Sequence, residues 1–338
     1  MRTIDWIDGA VEIVDQTALP GVTRMLRLST VEELVDAVRR LAVRGAPALG
    51  VAGAMGVALA ARATADPEES AYLVGLVETA RPTAVNLARG ARRAAARLPD
   101  GPDAVLAEAL AVRDEEIANS AAMATRGADL IGELCGPAPR LLTHCNTGGL
   151  ATVTGGTALA VVVELHRRGG LAGVIASETR PLLQGARLTA WELGRAGVPF
   201  RVAVDGAGPF LMARGEVDAV ILGADRVCAN GDVVNKIGTY AHALGARAAG
   251  IPFVVVAPES TVDDDTPAGS AVHIEDRDGA EVAAGVPAVN PAFDVTPHEL
   301  VTAIVTERRV IHPAAGPVRP AARRGGPPSQ SGRPVPLR

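Results

Sequence analysis

DAVILGADRVCANGDVVNKIGTYAHALGARAAGIPFVVVA, residues 218–257, is the stretch that decides the fold. Residues 218–222 and 253–257 are short, almost wholly apolar runs, the pattern of strands buried on both faces. Between them a polar, glycine-containing loop leads into 236–249, which reads as a helix. Strand, helix, strand in that order is a right-handed βαβ unit with its two strands parallel. The alternation recurs upstream, with strands expected at 140–143, 173–176 and 201–204 and helices at 157–167 and 184–194. An α/β protein with a parallel sheet covered by helices follows. Ligands of such sheets sit beyond the carboxyl ends of the strands, where three polar or glycine-rich loops fall: 144–149, 177–184 and 223–235.

The third loop ends at Lys236, the only lysine in a chain with 33 basic residues. Arginine is a planar fork; lysine is a point charge on a flexible stem that can sit against one phosphate or alkoxide. Asn235 precedes it and Asp225 and Arg226 lie upstream, so a functional ammonium is expected rather than a chance surface residue. Asp225 reads either as an active carboxylate or as a cap on the turn; Asp232, in ANGD, fits the cap better. Cys145, in THCNTGG, lies just past a strand end with two glycines behind it. It reads as a small core residue or as a reactive thiol. His144 beside it invites a Cys–His nucleophile, but adjacent side chains of a strand point to opposite faces, which leaves that a weak second choice. In TRPLLQG, Arg180 reads as a phosphate fork or a carboxylate partner.

The first part of the chain has another texture. Residues 6–14 alternate like a strand, 31–41 and the Ala/Gly-rich 47–63 read as helices, and 103–125 as one long amphipathic helix. Arg44-Gly45-Ala46-Pro47 opens the second of these, and Arg81-Pro82-Thr83 precedes another near Asn86. An Arg beside a helix start is a ready anion site, or simply a solvated side chain. Two such features here and one lysine in the other part suggest a phosphorylated ligand held between domains. The division expected is 1–125, 126–312 and a Pro/Gly/Arg-rich tail, 313–338, too poor in apolar residues to build a core.

Composition excludes several classes. Net charge is −5 and hydrophobic content 48%, which is no nucleic-acid footprint. No run of 18 uninterrupted apolar residues marks a membrane span, and acids stand at the start where a leader would be apolar. Cys135, Cys145 and Cys228 have no CxxC spacing, and no HExxH or paired histidines mark a metal. GK[ST] and a GxGxxG after a strand are both missing. A cytoplasmic globular protein fits.

Taken together, DQTALP at Asp15, VRGAPALG at Val43, RPTAVNL at Arg81, THCNTGGLAT at Thr143, ETRPLLQGARLTAWEL at Glu178, GADRVCANGDVVNKIGTY at Gly223 and NPAFDVTPHELVTAIVTE at Asn290 resemble the methylthioribose-1-phosphate isomerase family. The resemblance runs from Ile4 to about His312. Regulatory subunits of the translation-initiation guanine-nucleotide exchange factor are more distant relatives. It implies a helical N-terminal domain with a small antiparallel sheet, a Rossmann-like C-terminal domain, and a homodimer. It implies aldose–ketose isomerisation of 5-methylthioribose 1-phosphate in methionine salvage, with no metal or nicotinamide. Carried over by motif, Cys145 and Asp225 are the catalytic pair, and Arg44, Gly45, Ala46, Arg81, Gln184, Asn235 and Lys236 the substrate contacts. Asp225 is expected to be a proton donor in an apolar pocket, and Cys145 a thiolate base favoured by helix N-termini or Arg. Thr147, Cys228 and Arg89 depart from the family's usual residues. A 5-deoxyribose 1-phosphate isomerase and a non-catalytic sugar-phosphate sensor remain as alternatives.

Overall fold

A computed structural model describes residues 1–82 and 84–313; the expected tail lies outside the described residues from 314 onward. Two strands, β1 (Ile4–Ile7) and β2 (Ala10–Val14), take the place of the single strand expected over 6–14. The hairpin signal is the Asp-Gly pair between them: Asp8 and Gly9 both have positive φ, 46° and 83°, as the commonest two-residue hairpin turns require. With β3 (Met25–Leu28) they form an antiparallel sheet.

Helices α1 (Val31–Arg39), α2 (Ala46–Ala63), α3 (Pro67–Thr79) and α4 (Val85–Ala95) follow. A capping box starts α1, with Thr30 accepting from the Glu33 N–H and Glu33 reaching back to the Thr30 N–H. Helix α2 is apolar enough by length and composition to cross a bilayer, but most of it is packed inside the protein. Its closest neighbour is α4, and glycine makes that approach possible. A Cβ on Gly90 would lie 1.9 Å from the Gly50 carbonyl oxygen, and one on Gly53 would lie 2.2 Å from that of Leu87. Gly90→Ala is therefore expected to destabilise the protein by about 1–3 kcal/mol, the usual cost of overpacking, read as a lower urea midpoint at unchanged slope.

Helix α5 (Pro102–Cys135) was expected to stop at 125 but continues ten residues further, so the division drawn there falls inside a helix. Its first half packs Val105, Ala109 and Val112 into the core of the N-terminal helices. Its second half packs Met123, Ala128 and Ile131 against the large sheet.

That sheet has the order β14-β13-β10-β7-β4-β5-β6. Its strands are β4 (Arg140–Thr143), β5 (Gly173–Ser177), β6 (Phe200–Ala203), β7 (Ala219–Leu222), β10 (Phe253–Val256), β13 (Ala303–Val305) and β14 (Val310–Ile311). All pairs are parallel except β13–β14. Every residue of β7 and β10 is buried, as the continuous apolar runs require. Helices α5, α6 (Ala158–Arg167) and α7 (Ala190–Arg195) share one face with Leu141, Val174 and Ile221; α8 (Ala207–Ala213) and α9 (Thr239–Ala249) share the other with Leu142, Ile175 and Val220. A four-stranded sheet of β11 (Val262–Asp263), β8 (Arg226–Cys228), β9 (Val233–Lys236) and β12 (Phe293–Thr296) stands beside it. Lys236 accordingly ends a strand rather than starting a helix. The apolar pair Val233-Val234 pulls 233–236 into this sheet opposite 293–296, and α9 begins three residues later.

Candidate active site

The chain winds from β4 through β5 to β6 toward one edge of the large sheet, and from β7 through β10 to β13 toward the other. β4 and β7 are therefore the neighbours where the winding reverses, and the loops leaving their carboxyl ends part to form a crevice. Cys145 is the second residue beyond β4 and Asp225 the third beyond β7. The two loops touch: a Cβ on Gly223 would lie 2.8 Å from Thr147 Cγ2.

Cys145 is half-buried and held in the left-handed region, φ 61°. A non-glycine residue there costs about 1–3 kcal/mol and persists only where its surroundings enforce it. Here the Cys145 N–H donates to Thr179 Oγ1 at 2.9 Å, and the Cys145 carbonyl accepts from Thr189 Oγ1 at 2.6 Å. Thr179, also left-handed at φ 67°, is fixed in turn by Asp205, which accepts from the Thr179 and Arg180 N–H groups at 2.8 and 2.7 Å. Loops after β4 and β5 are thus locked together around the thiol.

Cations come from both parts of the chain. Arg44 extends from just before α2; its guanidinium donates to Gln16 Oε1 at 3.1 Å and to Asn146 Oδ1. Gln16 anchors on the Leu150 carbonyl at 2.7 Å, and Asn146 donates to the half-buried Glu192 at 2.8 Å. Glu192 also accepts from the Gly149 N–H at 2.6 Å. At Gly45, φ is 96° and a Cβ would lie 2.6 Å from Ala151 Cα, so only glycine lets the start of α2 meet the loop after β4. No side chain caps that start, which leaves early N–H groups of α2, beginning with Ala46, to an incoming anion. Arg81 is half-buried before α4. Lys236 Nζ donates to the Ala292 carbonyl at 2.9 Å and sits 4.5 Å from the centre of the Phe293 ring.

These groups act on one another. Burial raises the Asp225 pKa above the ordinary carboxylate value, and Lys236, Arg81 and Arg44 oppose the shift. Asp225 is exposed in the crevice, and the protein atoms around it displace part of its bulk hydration, which raises its pKa. Burial lowers the Lys236 pKa, and the Cys145 and Asp225 side chains oppose it. Burial likewise lowers that of Arg81, against Glu275 and Asp225. Near Asp225 stand the cations Lys236, Arg81 and Arg44 and the acid Glu275, and withdrawal from bulk water raises its pKa. Lys236 is one cation placed to interact with Cys145.

The structure thus gathers Arg44, Arg81, Cys145, Asp225 and Lys236. Gln184 is buried with its Oε1 unpartnered. Asn235 donates to Thr239 Oγ1 at 2.9 Å, and Thr239 donates to the Lys236 carbonyl at 2.7 Å, so Asn235 braces the turn that carries Lys236. Asp232 accepts from the Gly269 and His298 N–H groups, so it caps two distant segments rather than the local turn the sequence suggests. Arg180 donates to the Val282 carbonyl and Arg226 pairs with Asp263. His144 points inward, away from a nucleophile's position. Among the described residues no cluster of three or more His, Cys, Asp and Glu side chains has a metal-binding arrangement.

Sequence reading missed Gln16, Asn146 and Glu192, the supports of Arg44, although all three lie within quoted motifs. Only Glu192, between Trp191 and Leu193, stood out as a polar residue among apolar neighbours. It also missed Glu275 and Arg277. Arg277 is forked onto Glu281 at 2.5 and 2.9 Å and meets Glu275 at 3.1 Å, and its charge reaches Lys236 and Arg81. Nothing in their spacing ties them to loops 40 residues away.

The sequence profile of the initiation factor 2 subunit family matches residues 42–313. A methylthioribose-1-phosphate isomerase of Anaeromyxobacter dehalogenans is 52% identical over 89% of this chain and 90% of its own. A 5-deoxyribose 1-phosphate isomerase of Moorella thermoacetica is 48% identical over 92% and 94%. A probable bifunctional methylthioribose-1-phosphate isomerase/methylthioribulose-1-phosphate dehydratase of Nocardia farcinica is 52% identical over 92% of this chain, which spans 60% of that protein's length. Among solved structures, 5-methylthioribose 1-phosphate isomerase of Pyrococcus horikoshii superposes with a TM-score of 0.86 at 39% identity, covering 93% of each chain. With a profile match across most of its length and relatives near half identity over nearly all of it, the chain belongs to the initiation factor 2 subunit family.

Proposed function

We propose that the protein converts 5-methylthioribose 1-phosphate to 5-methylthioribulose 1-phosphate, the step its named relatives assign to methionine salvage. The observation that carries this is the meeting of Cys145 and Asp225 at the winding reversal of the sheet, facing three cations and the open start of α2. The substrate's anomeric oxygen carries the phosphate, so the ring cannot open to a free aldehyde. Asp225, keeping its proton, gives it to the ring oxygen as the bond from that oxygen to C1 breaks. Hydrogen then moves from C2 to C1, and the C2 hydroxyl becomes the ketone. It moves either as a proton that Cys145 takes from C2 and returns to C1 of the enol while the hydroxyl proton passes to the Asp225 carboxylate, or as a hydride while Cys145 accepts the hydroxyl proton. Arg44, Arg81, Lys236 and the α2 N–H groups hold the phosphate.

Incubating the purified protein with methylthioribose 1-phosphate tests the reading: the ketose forms, or the reading fails. A parallel assay with 5-deoxyribose 1-phosphate addresses the second reading, which the Moorella relative favours. The sugars differ only at the 5-substituent, where a small apolar group is worth about 1–3 kcal/mol of discrimination. Deuterium at C2 separates the routes: washout into water marks the enol, retention at C1 the hydride.

Lys236→Arg is expected to lower kcat/KM by about 10–100-fold, equivalent to one lost charge-assisted contact of about 1.5–3 kcal/mol. The ammonium fits between the Ala292 carbonyl and the Phe293 ring, and a planar fork does not fit that seat. Unchanged kcat/KM would show that a point charge is not needed there.

The finer architecture proposed is a Rossmann-like domain carrying a smaller helical one, with α5 shared between them, working as a homodimer in the cytoplasm. The mostly parallel sheet supports the first point. Exposed Phe210, Tyr240 and Leu244 on α8 and α9 are consistent with a partner. Free Cys135, Cys145 and Cys228 fit a reducing compartment.

A further inference from the structure

We propose that His144 is a positioning residue of this site: it ties the loop that carries Cys145 to the turn that carries Lys236. Each end of the link is one residue from a functional side chain. His144 precedes Cys145, and its Nε2 lies 2.8 Å from the carbonyl of Ile237, which follows Lys236. A carbonyl only accepts, so Nε2 carries the hydrogen. The ring is fully buried. Burial lowers its pKa, against the Ile237 bond and Asp205 and together with Lys236, so it stays neutral in the donating form.

The surroundings hold the ring in this orientation. A Cβ on Gly238 would lie 3.0 Å from its Cε1, and the His242 ring stands edge-on at 5.0 Å. Gly208 makes room for His242 in turn. Nδ1 of His144 and both ring nitrogens of His242 have no partner among the described residues. Leaving buried polar atoms unpaired is costly, and two hydrocarbon rings would fill the slot without that cost. What the imidazole adds is one N–H aimed at Ile237.

The turn has other bonds. Gly238 and Tyr240 N–H groups donate to Asp294, Thr239 to the Lys236 carbonyl, and Ile237 N–H and Lys236 Nζ to the Ala292 carbonyl. All of these stay within the four-stranded sheet and α9. Among the described hydrogen bonds of residues 236–240, the one from His144 reaches the loop of Cys145 on the seven-stranded sheet. His144 thereby holds the ammonium at a set distance from the thiol and, through it, from Asp225.

The kinetic arm of the test rests on the isomerase reading; a second arm does not. His144→Gln and His144→Met are side chains of similar length, one ending in an N–H donor and one without, and Met adapts to irregular core space. The Gln variant is expected to keep kcat within about tenfold, and the Met variant to lose about 100-fold, the scale of a misplaced catalytic group. Independently, iodoacetamide alkylation of Cys145, resolved from Cys135 and Cys228 by peptide mass spectrometry, is expected at the wild-type rate in His144→Gln and at a several-fold altered rate in His144→Met. If the ring merely fills space, Met serves as well as Gln, and equal behaviour of the two overturns the proposal. If the Met variant does not fold, a folded Gln variant with a loss beyond 100-fold in kcat, or with altered alkylation, also overturns it. If wild type isomerises neither sugar, the isomerase reading fails while the alkylation arm still decides the link.

Discussion

Asp225→Asn is expected to lower kcat by about 10²–10⁴-fold, the span typical of a lost general acid, in a protein that folds normally. Asn keeps the size and hydrogen-bonding capacity of the side chain and removes only its transferable proton. The acid role also sets a pH dependence. Burial holds the Asp225 pKa above the usual carboxylate value, so wild-type kcat falls as pH rises through that raised pKa, and this alkaline limb is absent from whatever residual activity the variant keeps. Stability falls with rising pH as well. With its folded pKa above its unfolded one, Asp225 makes the folded state the tighter proton binder. Stability is then lost as pH climbs from the unfolded value through the folded one, and stays lost above it. The Asn variant escapes that loss and is expected to be at least as stable as wild type at neutral pH, measured by urea midpoints. Less activity with equal or greater stability is the signature of a residue kept for chemistry. Near-normal turnover would remove Asp225 from the mechanism.

Cys145→Ser is expected to cost a comparable 10²–10⁴-fold or so in kcat, again without unfolding. The position is held by its backbone bonds to Thr179 and Thr189, which serine leaves in place. What changes is chemical: a hydroxyl gives up its proton far less readily than a thiol, so the base that faces Lys236 is lost. Substrate affinity rests on Arg44, Arg81 and Lys236, so KM is expected to change little while kcat falls. A rise in KM at unchanged kcat would instead assign Cys145 to binding.

Much of this was legible in the chain. The apolar runs at 218–222 and 253–257 mark central strands because strands buried on both faces have no polar side to show, and they appear as β7 and β10. Cys145, Asp225 and Lys236 stand out because chemistry-bearing residues follow such runs. Less visible was the second sheet. Val233 and Val234 read as part of a loop because the strand they pair with locally, Arg226–Cys228, has only three residues, and their other partners lie near 295, a separation that leaves no local period. The Arg44 supports were hidden for a like reason: Gln16, Asn146 and Glu192 are meaningful only once residues 28 to 134 apart in the chain meet. Helix α5 was cut short because its face changes partner near Arg113–Met123, where one apolar stripe gives way to another.

That change of partner has a thermodynamic meaning. One continuous run of backbone hydrogen bonds serves two hydrophobic cores, so neither core can melt while leaving the whole of α5 intact. The helix makes the two halves a single cooperative unit. Amide protons at its middle should exchange with deuterium only through global opening, at the slowest rate in the molecule, even where the loops that carry Cys145 and Asp225 open far more often.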